Sequence, residues 1–105
     1  MGARPLAVVG AVLVGCAGPD PRIERVAIVA PQLAGHVRVD LMVVNRSRGH
    51  GQVQIEIRLQ RTSDPRSLAV DRTLELDGHQ QLELTVDIPA PDGDYVAQAR
   101  AFYPD

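Results

Sequence analysis

Along three stretches of the chain, hydrophobic and polar positions alternate. Val37, Val39, Leu41 and Val43 alternate with Arg38, Asp40 and Met42. Val53, Ile55, Ile57 and Leu59 alternate with Gln54, Glu56, Arg58 and Gln60. Leu82, Leu84, Val86 and Ile88 alternate with Gln81, Glu83, Thr85 and Asp87. A period of two belongs to strands with one buried face and one wet face, so these apolar positions form the expected core. Weaker runs add a first strand at Val26 and Ile28, a short one at Leu68 and Val70, another at Leu74 and Leu76, and a last at Tyr95, Ala97, Ala99 and Ala101. Arg72 shares the phase of Val70 and Leu74, which predicts an edge position or a bulge rather than a buried charge.

Turn chemistry separates the runs. Residues 31–35 break the first strand from the second, and 45–51 form a polar connection with two glycines. Ser63-Asp64-Pro65-Arg66 reads as a turn, and Asp77-Gly78 as a compact hairpin. Residues 89–94 precede the last strand. No stretch beyond residue 21 carries a helical period or helix caps, so the expected fold is all-β, an antiparallel β-sandwich over residues 22–105.

The first 21 residues follow a different pattern. Met1 and Arg4 start a short positive region, and Leu6 to Val14 is an apolar run too short to cross a bilayer, which takes about 20 residues. That length suits a signal-peptide core, here residues 1–15. The run closes on Leu13-Val14-Gly15-Cys16, which resembles the lipobox of bacterial lipoproteins. Gly15 leaves room for cleavage before Cys16, whose thiol takes a diacylglycerol and whose freed amine takes a further chain; stable anchoring needs more than one chain. The resemblance implies lipidation at Cys16, a membrane partner reached through that lipid, and a place in the cell envelope. With Ala17 rather than Asp after Cys16, it implies the outer membrane, facing the periplasm, if the source is Gram-negative. Residues 16–21 then read as the lipidated Cys and a stiff, proline-containing tether.

The 105-residue chain allows one domain. With Cys16 as its single cysteine it has no internal disulfide. The net charge is −2 with Arg scattered among Asp and Glu, so there is no basic stripe for nucleic acid.

Three turns resemble those of small bacterial immunoglobulin-like domains, the bacterial cell-adhesion-related domain among them. They are the alternating strand running into Asn45-Arg46-Ser47, the "Leu-x-Gly" turn at Leu76-Asp77-Gly78, and the "Pro-x-Gly-x-Tyr" turn at Pro91-Asp92-Gly93-Asp94-Tyr95. The resemblance implies an immunoglobulin-like sandwich in which the Tyr95 hydroxyl bonds nearby backbone as a tyrosine corner. The chain departs from it in having no Trp, no core Cys pair and a single copy of the domain.

Reactive constellations are sparse. His36, His50 and His79 share no metal-ligand spacing, so neither metal nor cofactor is expected. Asp92-Gly93-Asp94 lacks the further oxygen ligands of a calcium loop. Ser47, Ser63 and Ser67 sit in turns without a nucleophile elbow. Glu75 and Glu83 would face each other across a hairpin on the wet side. Asn45-Arg46-Ser47 matches a glycosylation sequon, a coincidence in a bacterial lipoprotein. The expectation is a non-catalytic envelope module that contacts other proteins, with Arg100 and Phe102 on the outward face of the last strand as interface candidates. The alternative is a lipoprotein that captures a small molecule or glycan, which calls for a cavity with convergent polar groups.

Overall fold

In a computed structural model, residues 18–29, 34–63 and 66–103 are described. The signal run and Cys16 lie outside them. Among the described residues six strands form: β1 (Pro21–Ile28), β2 (His36–Asn45), β3 (Gly51–Arg61), β4 (Ser67–Leu76), β5 (Gln81–Pro89) and β6 (Tyr95–Phe102). They make two antiparallel sheets, ordered β1-β2-β5 and β4-β3-β6. The fold is an all-β sandwich.

The alternating runs become β2, β3 and β5, and their apolar phase turns inward. Val37, Val39, Leu41 and Val43 of β2, and Val53, Ile55, Ile57 and Leu59 of β3, are all buried. Both are the middle strands of their sheets, so each inner face is covered by the opposite sheet and flanked on both sides. On β5, Val86 and Ile88 are buried while Leu82 and Leu84 stay partly open toward its edge. Ala97, Ala99 and Ala101 of β6 pack against the same core.

Four local features differ from the sequence reading. First, β1 carries a bulge between Ile23 and Arg25, which leaves Glu24 unpaired. The extra residue lets Ile23 and Val26, three apart, both face the core. Second, the two short strands expected around Leu68 and Leu76 are one continuous strand. β4 pairs with β3 without a break from Gly51↔Leu76 to Gln60↔Ser67. Arg72 is exposed on this edge strand, its Nη1 donating to the Asp71 carbonyl at 3.0 Å, so its position is an edge and not a bulge.

Third, Asp77-Gly78 is a compact turn but no hairpin, because β4 and β5 lie in different sheets. Gln80 N–H donates to the Asp77 carbonyl at 3.1 Å, and His79 takes the positive φ of 57° at the third position. The glycine at position 78 answers a different need, since a Cβ there would run into the Arg48 carbonyl oxygen. Glu75 and Glu83 are therefore not neighbours across a hairpin.

Fourth, the described part of the tether, residues 18–21, belongs to the domain. Pro19 and Pro21 are buried, and Pro21 opens β1. Gly18 lies under the Tyr103 ring, where a Cβ would overlap it.

The outer face of the β1-β2-β5 sheet is laced by polar pairs. Arg25 reaches over β2 to Glu83 at 2.9 Å, Thr85 donates to Asp40 at 2.7 Å, and Arg38 Nε meets Asp87 Oδ1 at 2.8 Å. The Arg38 hydrogen bond, helped by its charge, holds the Asp87 carboxyl below its ordinary range. A carboxyl depressed in this way adds stability above its unfolded pKa and loses that part as pH falls through the folded value. Both groups are exposed, so the effect is small and screened by salt. The melting temperature of wild type should exceed that of Asp87→Asn at neutral pH, and the gap should shrink below about pH 4. A gap that persists unchanged in acid would dismiss the pair as its source.

Candidate functional site

Two places collect side-chain chemistry: one end of the sandwich, around Asn45, and the outer face of β6.

Asn45 is the last residue of β2 and stands in phase with Val37–Val43, so its polar side chain points into the core end, 1% exposed. Its carbonyl oxygen accepts from Asp20 N–H at 2.9 Å and Ser47 N–H at 3.1 Å. Its amide nitrogen donates to the carbonyls of Gly49 at 2.7 Å and Asp77 at 2.8 Å. One side chain thus joins the start of the domain, the β2–β3 connection and the β4–β5 turn, with every hydrogen-bonding position used. Ser47 extends the cluster: its hydroxyl donates to the Gly18 carbonyl at 2.9 Å and accepts from Gly49 N–H at 3.1 Å. Both hydrogens of the Asn45 amide are engaged, so the folded protein presents this sequon as a clamp and not as a glycan acceptor.

At the opposite end, the Tyr95 hydroxyl donates to the Pro91 carbonyl at 2.6 Å, the bond expected of it. The Asp92-Gly93-Asp94 oxygens brace neighbouring chain. Asp92 Oδ1 accepts from Gly35 N–H at 3.1 Å, the Asp92 carbonyl from Arg61 Nη2 at 2.6 Å, and the Asp94 carbonyl from Thr62 N–H at 3.1 Å.

The outward face of β6 carries Val96, Gln98, Arg100 and Phe102. Arg100 Nε donates to Glu56 Oε1 at 2.8 Å, and its guanidinium lies 5.0 Å from the centroid of the Phe102 ring. The two interface candidates therefore form one stacked unit. Phe102 is half-buried, whereas Val96 is 53% exposed. Glu56, Arg58, Gln98, Ala99 and Arg100 outline an open depression of about 280 Å³ on this face. The aromatic side chain that meets Gly18 is Tyr103.

The four sheet edges differ in how they are guarded. β1 has Pro21, its bulge and the charges of Arg22, Glu24 and Arg25. β4 carries Asp71, Arg72 and Glu75, and β5 carries Glu83, Asp87 and a terminal Pro89. β6 has one charge, Arg100, no proline and an unbroken register with β3 from Gln54↔Phe102 to Arg61↔Tyr95. Prolines, bulges and charges keep an open edge from pairing; β6 has the fewest, and β1 running close alongside it covers that side instead.

Among the described residues, no group of His, Cys, Asp and Glu is placed to hold a metal ion, and no helix is long and apolar enough to cross a membrane. His36, His50 and His79 are exposed at separate strand starts and turns. Comparison with protein-family models, with curated proteins and with solved structures finds no match.

Proposed function

We propose that this chain is a lipid-anchored module of a bacterial cell envelope, attached through Cys16, that contacts envelope proteins through the outer face of β6 and performs no catalysis. The observation that carries this reading is the Arg100–Phe102 stack on the outer face of β6. Arg and aromatic side chains are frequent interface anchors.

The domain is best read as immunoglobulin-like. β1, β2 and β5 take the places of strands A, B and E of that fold, and β3 and β6 those of C and F; β4 lies beside β3 rather than beside β5. The Tyr95–Pro91 bond falls at the corner leading into β6, as a tyrosine corner does. The lipobox motif supports the anchor.

Metabolic labelling with a fatty acid should mark wild type and leave Cys16→Ser unlabelled. The double variant Arg100→Ala, Phe102→Ala should stay folded, with a melting temperature lowered modestly by the lost bond to Glu56, and should lose the envelope proteins that co-purify with wild type. Equal labelling of both chains would refute the anchor, and unchanged co-purification would refute the surface.

A further inference from the structure

Arg61, the last residue of β3, continues the inward phase of Val53, Ile55, Ile57 and Leu59, so a cation stands at the end of the core opposite Asn45. Unlike the Asn45 amide, its guanidinium is not fully used. Nη2 donates to the Asp92 carbonyl at 2.6 Å and the group lies 6.0 Å from the centroid of the Tyr95 ring, but Nε is buried without an acceptor. Its partners among the described residues are therefore neutral. Arg61, Arg66, Ser67, Leu68, Pro91 and Tyr95 line a pocket of about 310 Å³ at this end. We infer that this pocket binds a small ligand carboxylate with an apolar group beside it. Arg61 holds the charge, and Leu68, Pro91 and Tyr95 hold the apolar group.

A half-buried cation with only neutral partners attracts an anion, more strongly where water is thinned out around it. A guanidinium also recognises a carboxylate by shape, through paired N–H groups. Arg61 is held in place before any ligand arrives. Besides the Asp92 bond, Gly93 lies so close that a Cβ there would come within 3.0 Å of Nε and Nη2. A donor fixed in advance loses little freedom on binding. The apolar part of the pocket is open as well. Leu68 is 37% exposed, opposite the buried Leu59, where the core runs out to solvent. The Tyr95 hydroxyl is engaged on the Pro91 carbonyl, so the ring offers its apolar surface. The volume is at the lower end for ligand clefts, about 300–1,000 Å³, and suits a group the size of one amino-acid residue. From the docked tether to this pocket β3 runs 11 residues, about 34 Å at roughly 3.4 Å per residue. On the proposed anchoring, the pocket lies at the end far from the lipid, and it is separate from the outer face of β6.

Amide chemical shifts of residues 61, 66–68 and 92–95, in the nitrogen-15-labelled full chain purified in detergent, report binding. N-acetyl-leucine should move these signals and bind at least about tenfold more tightly than N-acetyl-leucinamide, which lacks the charge, or N-acetylglycine, which lacks the apolar group. Arg61→Gln should remove the preference for the acid over the amide. Leu68→Ser, at an exposed edge position, should remove the preference for leucine over glycine and keep that for the acid. Should Arg61→Gln fail to fold, the acid-over-amide ratio of wild type, falling as salt rises, carries the same test. An acetylated tripeptide ending in leucine that binds more tightly than N-acetyl-leucine assigns the site to the carboxyl end of a peptide; equal binding assigns it to a free acid. The Arg100→Ala, Phe102→Ala variant should bind the acid as wild type does, which tests the pocket apart from the β6 face. Equal binding of acid and amide, shifts centred on Gln98 and Arg100 instead, or no saturable shift would overturn the site.

Discussion

Asn45→Ala should cost about 4 kcal/mol, because it strands several buried groups at once and each costs about 1–3 kcal/mol without a partner. The Gly49 and Asp77 carbonyls lose their donor, and Asp20 N–H loses its acceptor. A domain of this size has about 5–15 kcal/mol in total, so the variant should unfold at far lower urea and temperature. Asn45→Asp keeps the shape and the acceptor but, when ionised, has no hydrogen for the two carbonyls. Its loss should match that of alanine at neutral pH. In acid the introduced carboxyl becomes neutral and can donate once, so part of the stability should return. The folded state favours that neutral form and raises its pKa, which places the gain below the folded pKa and its loss as pH rises through it. Unfolding of the three proteins followed by circular dichroism across pH checks both effects. A cost under about 1 kcal/mol for Asn45→Ala would show that water replaces the clamp.

Ile57→Ala should cost about 2–5 kcal/mol, the range for removing a fully buried aliphatic side chain. Ile57 is 0% exposed on the middle strand of its sheet, opposite Val70 on one side and Ala99 on the other. The small Ala99 offers little side chain to fill the cavity. By alternation alone, its neighbour Glu56 would be a free outward residue worth about half a kcal/mol or less. In the structure Glu56 is half-buried and accepts from Arg100, so Glu56→Ala should cost up to about 1 kcal/mol. Gln60, exposed on the same strand, is the cleaner comparison, and Gln60→Ala should stay within about 0.5 kcal/mol. Equal shifts in urea midpoint for Ile57→Ala and Gln60→Ala would contradict the inward face of β3.

The contrast between Ile57 and Glu56 illustrates what alternation can and cannot reveal. It identifies a face wherever a strand is covered on one side along its length, as in β2 and β3. It weakens where the ladder is irregular: the β1 bulge spaces Ile23 and Val26 by three, which no period of two can match. It also misleads at edges, where Arg72 interrupts an apolar phase without ending the strand. Turn residues show that the chain reverses, but not whether the next strand joins the same sheet, so Asp77-Gly78 looked like a hairpin. The prolines and small residues near the start resemble a linker in composition. Their docking depends on a side chain 25 positions away, that of Asn45 on Asp20 N–H. One signal for the clamp was present in the sequence: Asn45 continues the inward phase of Val37 to Val43, and a polar residue in a core phase needs partners. For the β6 face, alternation located Arg100 and Phe102 on the outside, and their stacking on each other came only from the coordinates.

Under the proposed lipidation of Cys16, the docking of residues 18–21 would also govern how the domain meets a lipid surface. Two peptide steps separate Cys16 from Gly18, a span of at most about 7 Å. With acyl chains on Cys16, the attachment acts as a short post and not a leash, and the sandwich cannot swing or turn over freely.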